Sequence, residues 1–148
     1  MGIKEAIKQD KFDSNQLMAT VNIIYTANWL RDQNAPVYKK HGILSQHYNI
    51  LRIVRGSHPK PVTPGYIKEV MLDKGRDLTR LVDKLVKLHY LERCLCEHNR
   101  RKMEITITKA GLDLITVISK GSELFFKAQK LTDEEGLQLS DLLDKLRG

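Results

Sequence analysis

The sequence predicts a mainly α-helical fold with one small β-hairpin, and three observations predict it. Apolar residues recur with a helical period near both ends and through much of the middle. The period falls to two only around residues 91–108. Positive charge is concentrated centrally, since residues 37–110 hold 16 Lys/Arg against 7 Asp/Glu while the remainder holds 9 against 11. The 148 residues, 41 % hydrophobic and 29 % charged, suit one domain with a real core and a well-solvated surface.

Residues 1–12 read as a short polar extension. A first helix begins near Asp13 or Ser14; Asp13 with Gln16 fits a capping box, and Ser14 is the alternative cap. It runs through LMATVNIIYTANWLR, where Leu17, Met18, Val21, Ile24, Tyr25 and Trp29 occupy more than one face. Such a helix is expected to be buried on two sides, one of them against a partner subunit. Pro36 should end or kink it, with residues 38–41 as a short continuation.

Ser45 is expected to cap a second helix, QHYNILRIVR, with Gly56 as its stop. SHPKPV then reads as an extended connector. Thr63 followed by Pro64 is an N-cap and first-turn pair, opening the short helix PGYIKEVML. Gly75 closes the following turn.

The next stretch, residues 76–89 (RDLTRLVDKLVKLH), divides cleanly on a helix. Leu78, Leu81, Val82, Leu85 and Leu88 form one apolar stripe. Arg76, Thr79, Arg80, Asp83, Lys84 and Lys87 form the opposite face. Arginine and a short hydroxyl near the N-terminal end are the side chains that reach base edges in a DNA major groove. A solvated amphipathic helix is the alternative, and the neighbouring elements weigh against it. A short helix, a tight turn and this helix make a helix-turn-helix.

Residues 91–96 and 102–108 then alternate with period two, joined by EHNRR, as a hairpin with Asn99, Arg100, Arg101 and Lys102 at its tip. A hairpin in this place is a wing, and arginines at its tip suit a narrow minor groove. After Thr108 the helical period returns, with Leu112, Ile115, Ile118, Leu124, Phe125 and Phe126 as core or interface residues and Gly111 and Gly121 as local weak points. Thr132 with Glu135 is a capping box for a last helix carrying Leu139, Leu142, Leu143 and Leu146 on one stripe. These broad apolar faces, Leu137 included, are more than a monomer needs to cover, which predicts a two-fold dimer.

The expected fold is therefore a winged helix-turn-helix core plus N- and C-terminal dimerisation helices. It is one domain over residues 1–148, with a DNA-binding lobe at about 37–110 and dimerisation helices at about 13–36 and 109–147. A basic centre points to a polyanion.

Three motifs, YNILRIVRG (48–56), DLTRLVDKLVKLHYLER (77–93) and NRRKMEITITKAG (99–111), together resemble the MarR family of winged-helix transcription regulators, over roughly residues 14–147. The resemblance implies a homodimeric repressor of a palindromic double-stranded DNA operator, released by a small-molecule effector or thiol oxidation. It places Arg76, Asp77, Thr79 and Arg80 at bases and phosphates and Arg100 and Arg101 at the wing tip; Lys84 and Lys102 complete the candidate DNA-binding set. Departures are Asn99 where the family has Asp, His89–Tyr90 where it has a basic residue plus Gly, and Asp77 where it has a small residue.

Tyr25, Trp29, Tyr48 and Met18 are candidates to line an effector pocket, although aromatics at helical spacing are more often core. Cys94 and Cys96 share one strand face and read as small wing side chains; a thiol or metal switch with His98 or His89 is the alternative. The first helix lacks the cysteine that peroxide-sensing family members use there. A winged-helix module binding an acidic protein is a further alternative. The five histidines fit no common zinc pattern and are expected on the surface or facing DNA. No Gly-rich phosphate loop, G-x-S-x-G or H-E-x-x-H occurs, so neither catalysis nor a cofactor or metal is expected. No apolar run reaches the roughly 18 to 20 residues of a membrane span. The N-terminal residues have no signal-like apolar core, so a cytoplasmic protein is expected.

Overall fold

The computed structural model describes residues 1–127 and 130–148; the side chains of Arg100, Leu124, Phe126 and Lys127 lie outside the description. In order, the elements are α1 (Ile3–Ile7), α2 (Asn15–Lys39), α3 (Ser45–Ser57), α4 (Pro64–Val70), α5 (Leu78–Lys87), β1 (Leu91–Cys96), β2 (Asn99–Ile107), α6 (Lys109–Lys127) and α7 (Asp133–Arg147). They fall into two compact units, residues 1–118 and 119–148.

In the first unit, α3, α4, α5, the hairpin and the start of α6 converge on one core. Ile50, Leu51, Ile67, Leu85, Leu91, Ile105, Ile115 and Ile118 are all essentially without solvent contact. The stripe of α5 supplies Leu78, Leu81, Val82 and Leu85 to it, with Leu88 packed at its edge. Each of the fully buried aliphatic side chains contributes roughly 1.5–3 kcal/mol by leaving water.

Local chemistry sets the boundaries. Ser14, not the Asp13 box, caps α2, its Oγ accepting from the Leu17 N–H at 3.0 Å. Pro36 lies inside α2, which continues to Lys39, correcting the expected break. Residues 3–7 form a one-turn helix where only an extension was expected. Ser45 is the first residue of α3, not its cap; the ring of His47 does the reciprocal work, its Nδ1 accepting from the Leu44 N–H at 2.9 Å. Gly56 lies within α3, which runs to Ser57. Thr63 caps α4 as expected, accepting from the Tyr66 N–H at 3.2 Å, and Pro64 holds the first turn.

The helix predicted over residues 76–89 begins at Leu78, because Asp77 turns its side chain back to accept from the Arg80 N–H at 3.3 Å. It ends at Lys87, and His89 takes a left-handed conformation (φ 61°). The chain then enters an antiparallel pair with Leu91 opposite Ile107, Arg93 opposite Ile105 and Leu95 opposite Met103. Val62, from the connector, adds a single bridge on the other side of Ile105, with N–H···O distances of 2.9 and 2.8 Å. The expected five-residue link is shorter: Asn99 already pairs with Cys96, and the shift in register before Leu95–Met103 leaves residues 100–102 as a bulge in β2. Thr108 caps α6, accepting from the Gly111 N–H at 3.0 Å while its hydroxyl donates to the His89 carbonyl at 2.7 Å.

No residue of α2 is buried, and Leu17, Ile24, Tyr25 and Trp29 are exposed. In the second unit, Leu137, Leu139, Leu142 and Leu146 of α7 are exposed as well. Leu124 and Phe126 fall outside the described side chains, and Phe125 is partly buried.

Candidate nucleic-acid interface

The exposed face of α5 rests on the buried one. Because Leu78, Leu81, Val82 and Leu85 anchor the helix, its period turns Thr79, Arg80, Asp83, Lys84 and Lys87 to solvent. The start of α5 borders the start of α4 across an open cleft of about 660 Å³, lined by Pro64, Gly65, Lys68, Gly75, Arg76, Asp77, Leu78 and Thr79. Arg76, Asp77 and Thr79 therefore come together there, and Lys68, which sequence reasoning missed, joins them. Its signal was present: Lys68 lies one helical turn from Pro64 on a short helix preceding the turn.

Acids accompany the arginines. Arg80 Nε lies 3.4 Å from the Asp77 carboxylate, with the Arg80 side chain 87 % exposed. Arg76 lies outside α5 and pairs through Nε with Asp73 at 3.2 Å. Asp73 also accepts from Gln46 Nε2 at 3.3 Å and, through its other oxygen, from the Gly75 N–H at 3.3 Å. The Gln46 hydrogen bond, then those from Arg76 and Gly75, hold the Asp73 carboxyl below its ordinary range. Exposed ion pairs of this kind contribute about 0–1 kcal/mol each to stability. They leave the guanidinium charges available at the surface.

On the hairpin, Arg101 and Lys102 are exposed in the bulge, and the Arg100 side chain lies outside the described set. Asn99 Oδ1 accepts from the Arg101 backbone N–H at 3.1 Å, so this side chain shapes the tip. Arg93 of β1 pairs with Asp83 of α5, tying the hairpin to the helix.

The effector set is divided. Tyr25 and Trp29 line a groove of about 340 Å³ together with Asn22 and Thr26 of α2 and Met1, Gly2, Ile3 and Ala6 from around α1. Tyr48 is not there: it is buried, its ring centre 5.4 Å from that of Tyr38 at a 35° tilt, with the Arg52 guanidinium 5.9 Å from its ring centre. Met18 does not line that groove either. Helical spacing fixes which residues share a face but not which helix that face meets.

Cys94 is exposed and Cys96 half-buried, both as free thiols. Among the described residues no group of three His, Cys, Asp or Glu could hold a metal ion. His47 is buried, contrary to the expectation that the histidines lie at the surface. Burial, reinforced by the Lys84 charge, pushes its pKa below the ordinary 6.5. No described helix is long and apolar enough to cross a membrane.

No family model matches the chain. Over 68 residues it is 37 % identical to the HTH-type transcriptional regulator SarZ of Staphylococcus epidermidis, a match covering 46 % of this chain and 45 % of that one. The chain thus spans less than half the length of the curated relative it matches. Solved structures match over nearly the whole length. A MarR-like transcription regulator from Bacillus cereus superposes with a TM-score of 0.78 at 18 % identity, covering 90 % of this chain and 96 % of that one. A MarR transcription factor from Planctomyces limnophilus gives 0.68 at 25 % identity, with 92 % and 95 % covered. A mutant MarR from E. coli, complexed with operator DNA, gives 0.73 at 24 % identity, with 92 % and 99 % covered. In architecture, this chain has the winged-helix fold of these MarR structures.

Proposed function

We infer that the chain is a sequence-specific DNA-binding transcription regulator. The observation that carries this reading is the two-sided α5, whose inner stripe is locked into the core while Thr79, Arg80 and Lys84 stand out to solvent beside Arg76 and Lys68. Cations at such a surface give affinity through phosphates, and a projecting Arg–Thr pair gives base discrimination. The bulged hairpin with Arg101 and Lys102 suits a neighbouring minor groove. The operator complex of the E. coli neighbour supports the same use of the fold. Protection of a discrete segment in footprints of the DNA upstream of its own gene tests the reading; uniform cleavage with no protected segment counts against it.

The functional unit is a homodimer on a palindromic operator, acting as a repressor. The support is the exposed apolar residues of α2 (Leu17, Ile24, Tyr25, Trp29) and those of α7 (Leu137, Leu139, Leu142, Leu146), which a second copy would cover. A small apolar effector is proposed for the Tyr25–Trp29 groove.

A further inference from the structure

Two side chains of α3 reach across to the turn between α4 and α5. Asn49 Oδ1 accepts from the Leu72 N–H at 3.0 Å. Gln46, one turn earlier on the same helix, donates from Nε2 to Asp73 Oδ2 at 3.3 Å. Asp73 is thereby held from outside its own loop. Its Oδ1 takes the Gly75 N–H at 3.3 Å, closing the turn, and its Oδ2 takes Arg76 Nε at 3.2 Å. Arg76 has no helix to fix its backbone direction, since α5 begins only at Leu78. Its side chain, 62 % exposed, pairs with Asp73 and lines the cleft shared with Lys68 and Thr79.

We propose that Asp73 is a positioning residue for DNA recognition: clamped by Gln46 of α3, it orients Arg76 toward the DNA. This rests on the DNA-binding reading above and adds a residue of the wrong charge to the interface. The sign of its effect is what makes the proposal distinctive. An acid near phosphates weakens binding by simple repulsion, so its removal should strengthen attachment to any duplex. A positioning acid does the opposite for the preferred duplex, because an unheld arginine loses conformational freedom on binding.

The test is a double-mutant cycle read by fluorescence anisotropy on a preferred and a scrambled duplex. Asp73→Ala should weaken binding to the preferred duplex about 3- to 10-fold, the range of one lost hydrogen-bonded contact. Binding to the scrambled duplex should hold or rise. Asp73→Asn keeps one acceptor oxygen for the Gly75 N–H but loses the one that Gln46 and Arg76 share, so it should weaken preferred binding while the turn stays closed, and Gln46→Ala should copy the loss without any change of charge. In an Arg76→Ala background, Asp73→Ala should no longer weaken preferred binding. Thermal unfolding of each variant separates misfolding from this effect, and Asp73→Asn carries the test if Asp73→Ala does not fold. An equal loss with and without Arg76, or tighter binding to both duplexes, overturns the proposal while leaving DNA recognition intact. Failure of the unsubstituted protein to prefer any duplex overturns both.

Discussion

Asp83 of α5 forms an ion pair with Arg93 of β1, joining the helix that presents the candidate reading face to the hairpin beside it. Both side chains are nearly half exposed (49 % and 40 %), so the pair adds little to global stability. Arg93→Ala should therefore lower unfolding free energy by no more than about 1 kcal/mol. DNA affinity should drop by more than that stability change implies, because a tie that helps set the hairpin's position against α5 is lost, although their shared core remains. Urea denaturation and duplex binding on the same variant check this; unchanged binding would mean the hairpin orientation does not depend on the pair.

Gly111, near the start of α6, packs against the foot of the hairpin. A Cβ there would collide with the Tyr90 carbonyl oxygen and stand 2.7 Å from Ile107 Cγ1. In an open helix Gly→Ala stabilises by up to about 1 kcal/mol. Here the sign should reverse, with Gly111→Ala destabilising by about 1–3 kcal/mol through overpacking against backbone that is hydrogen-bonded at Thr108. Chemical denaturation gives the answer directly.

His47 makes stability fall with acid. Neutral, its Nδ1 accepts from the Leu44 N–H; protonated, it loses that bond and faces the Lys84 charge while buried. Its folded pKa lies below 6.5, so the unfolded chain binds the extra proton first. The stabilisation is complete above 6.5 and is lost as pH drops from there toward the folded value. His47→Gln keeps an acceptor at the same helix position and removes the titration. Its unfolding midpoint should change less than that of the parent between about pH 7.5 and 5.5. An equal acid loss in both proteins would assign the effect elsewhere.

Arg80→Ala should cost about 1–3 kcal/mol of binding to the preferred duplex and relax sequence preference. Asp77→Asn should act differently. Asn caps as well as Asp, so α5 keeps its start, while a negative charge leaves the interface. Stability should hold and binding to a scrambled duplex should tighten. Competition binding distinguishes the two outcomes; weaker scrambled binding by Asp77→Asn would argue that the acid itself contacts the DNA.

What was legible in the residues follows from local rules. The α5 stripe, the Thr63–Pro64 start and the period-two hairpin each depend on neighbours a few positions away. The chain beyond those rules depends on tertiary partners. Asp77 shortens α5 by capping it, and no local pattern marks Asp73, because its partner Gln46 stands 27 positions earlier. Tyr48 was grouped with Tyr25 and Trp29 by residue type, yet Tyr38 claims its ring. The bulge at residues 100–102 is a matter of strand register, which alternation alone does not set. Pro36 continues α2 although a proline costs an interior helix a hydrogen bond. His47 fills the place of a capping-box acid, a role its residue type does not announce.

The most direct test of the central claim is the salt dependence of binding to upstream DNA against a scrambled duplex of equal length. The account predicts that log affinity falls linearly with log salt, at about 0.9 per phosphate neutralised, and that the upstream duplex keeps an advantage across the range. Affinity that ignores salt, or that is the same for both duplexes throughout, would contradict a sequence-reading α5.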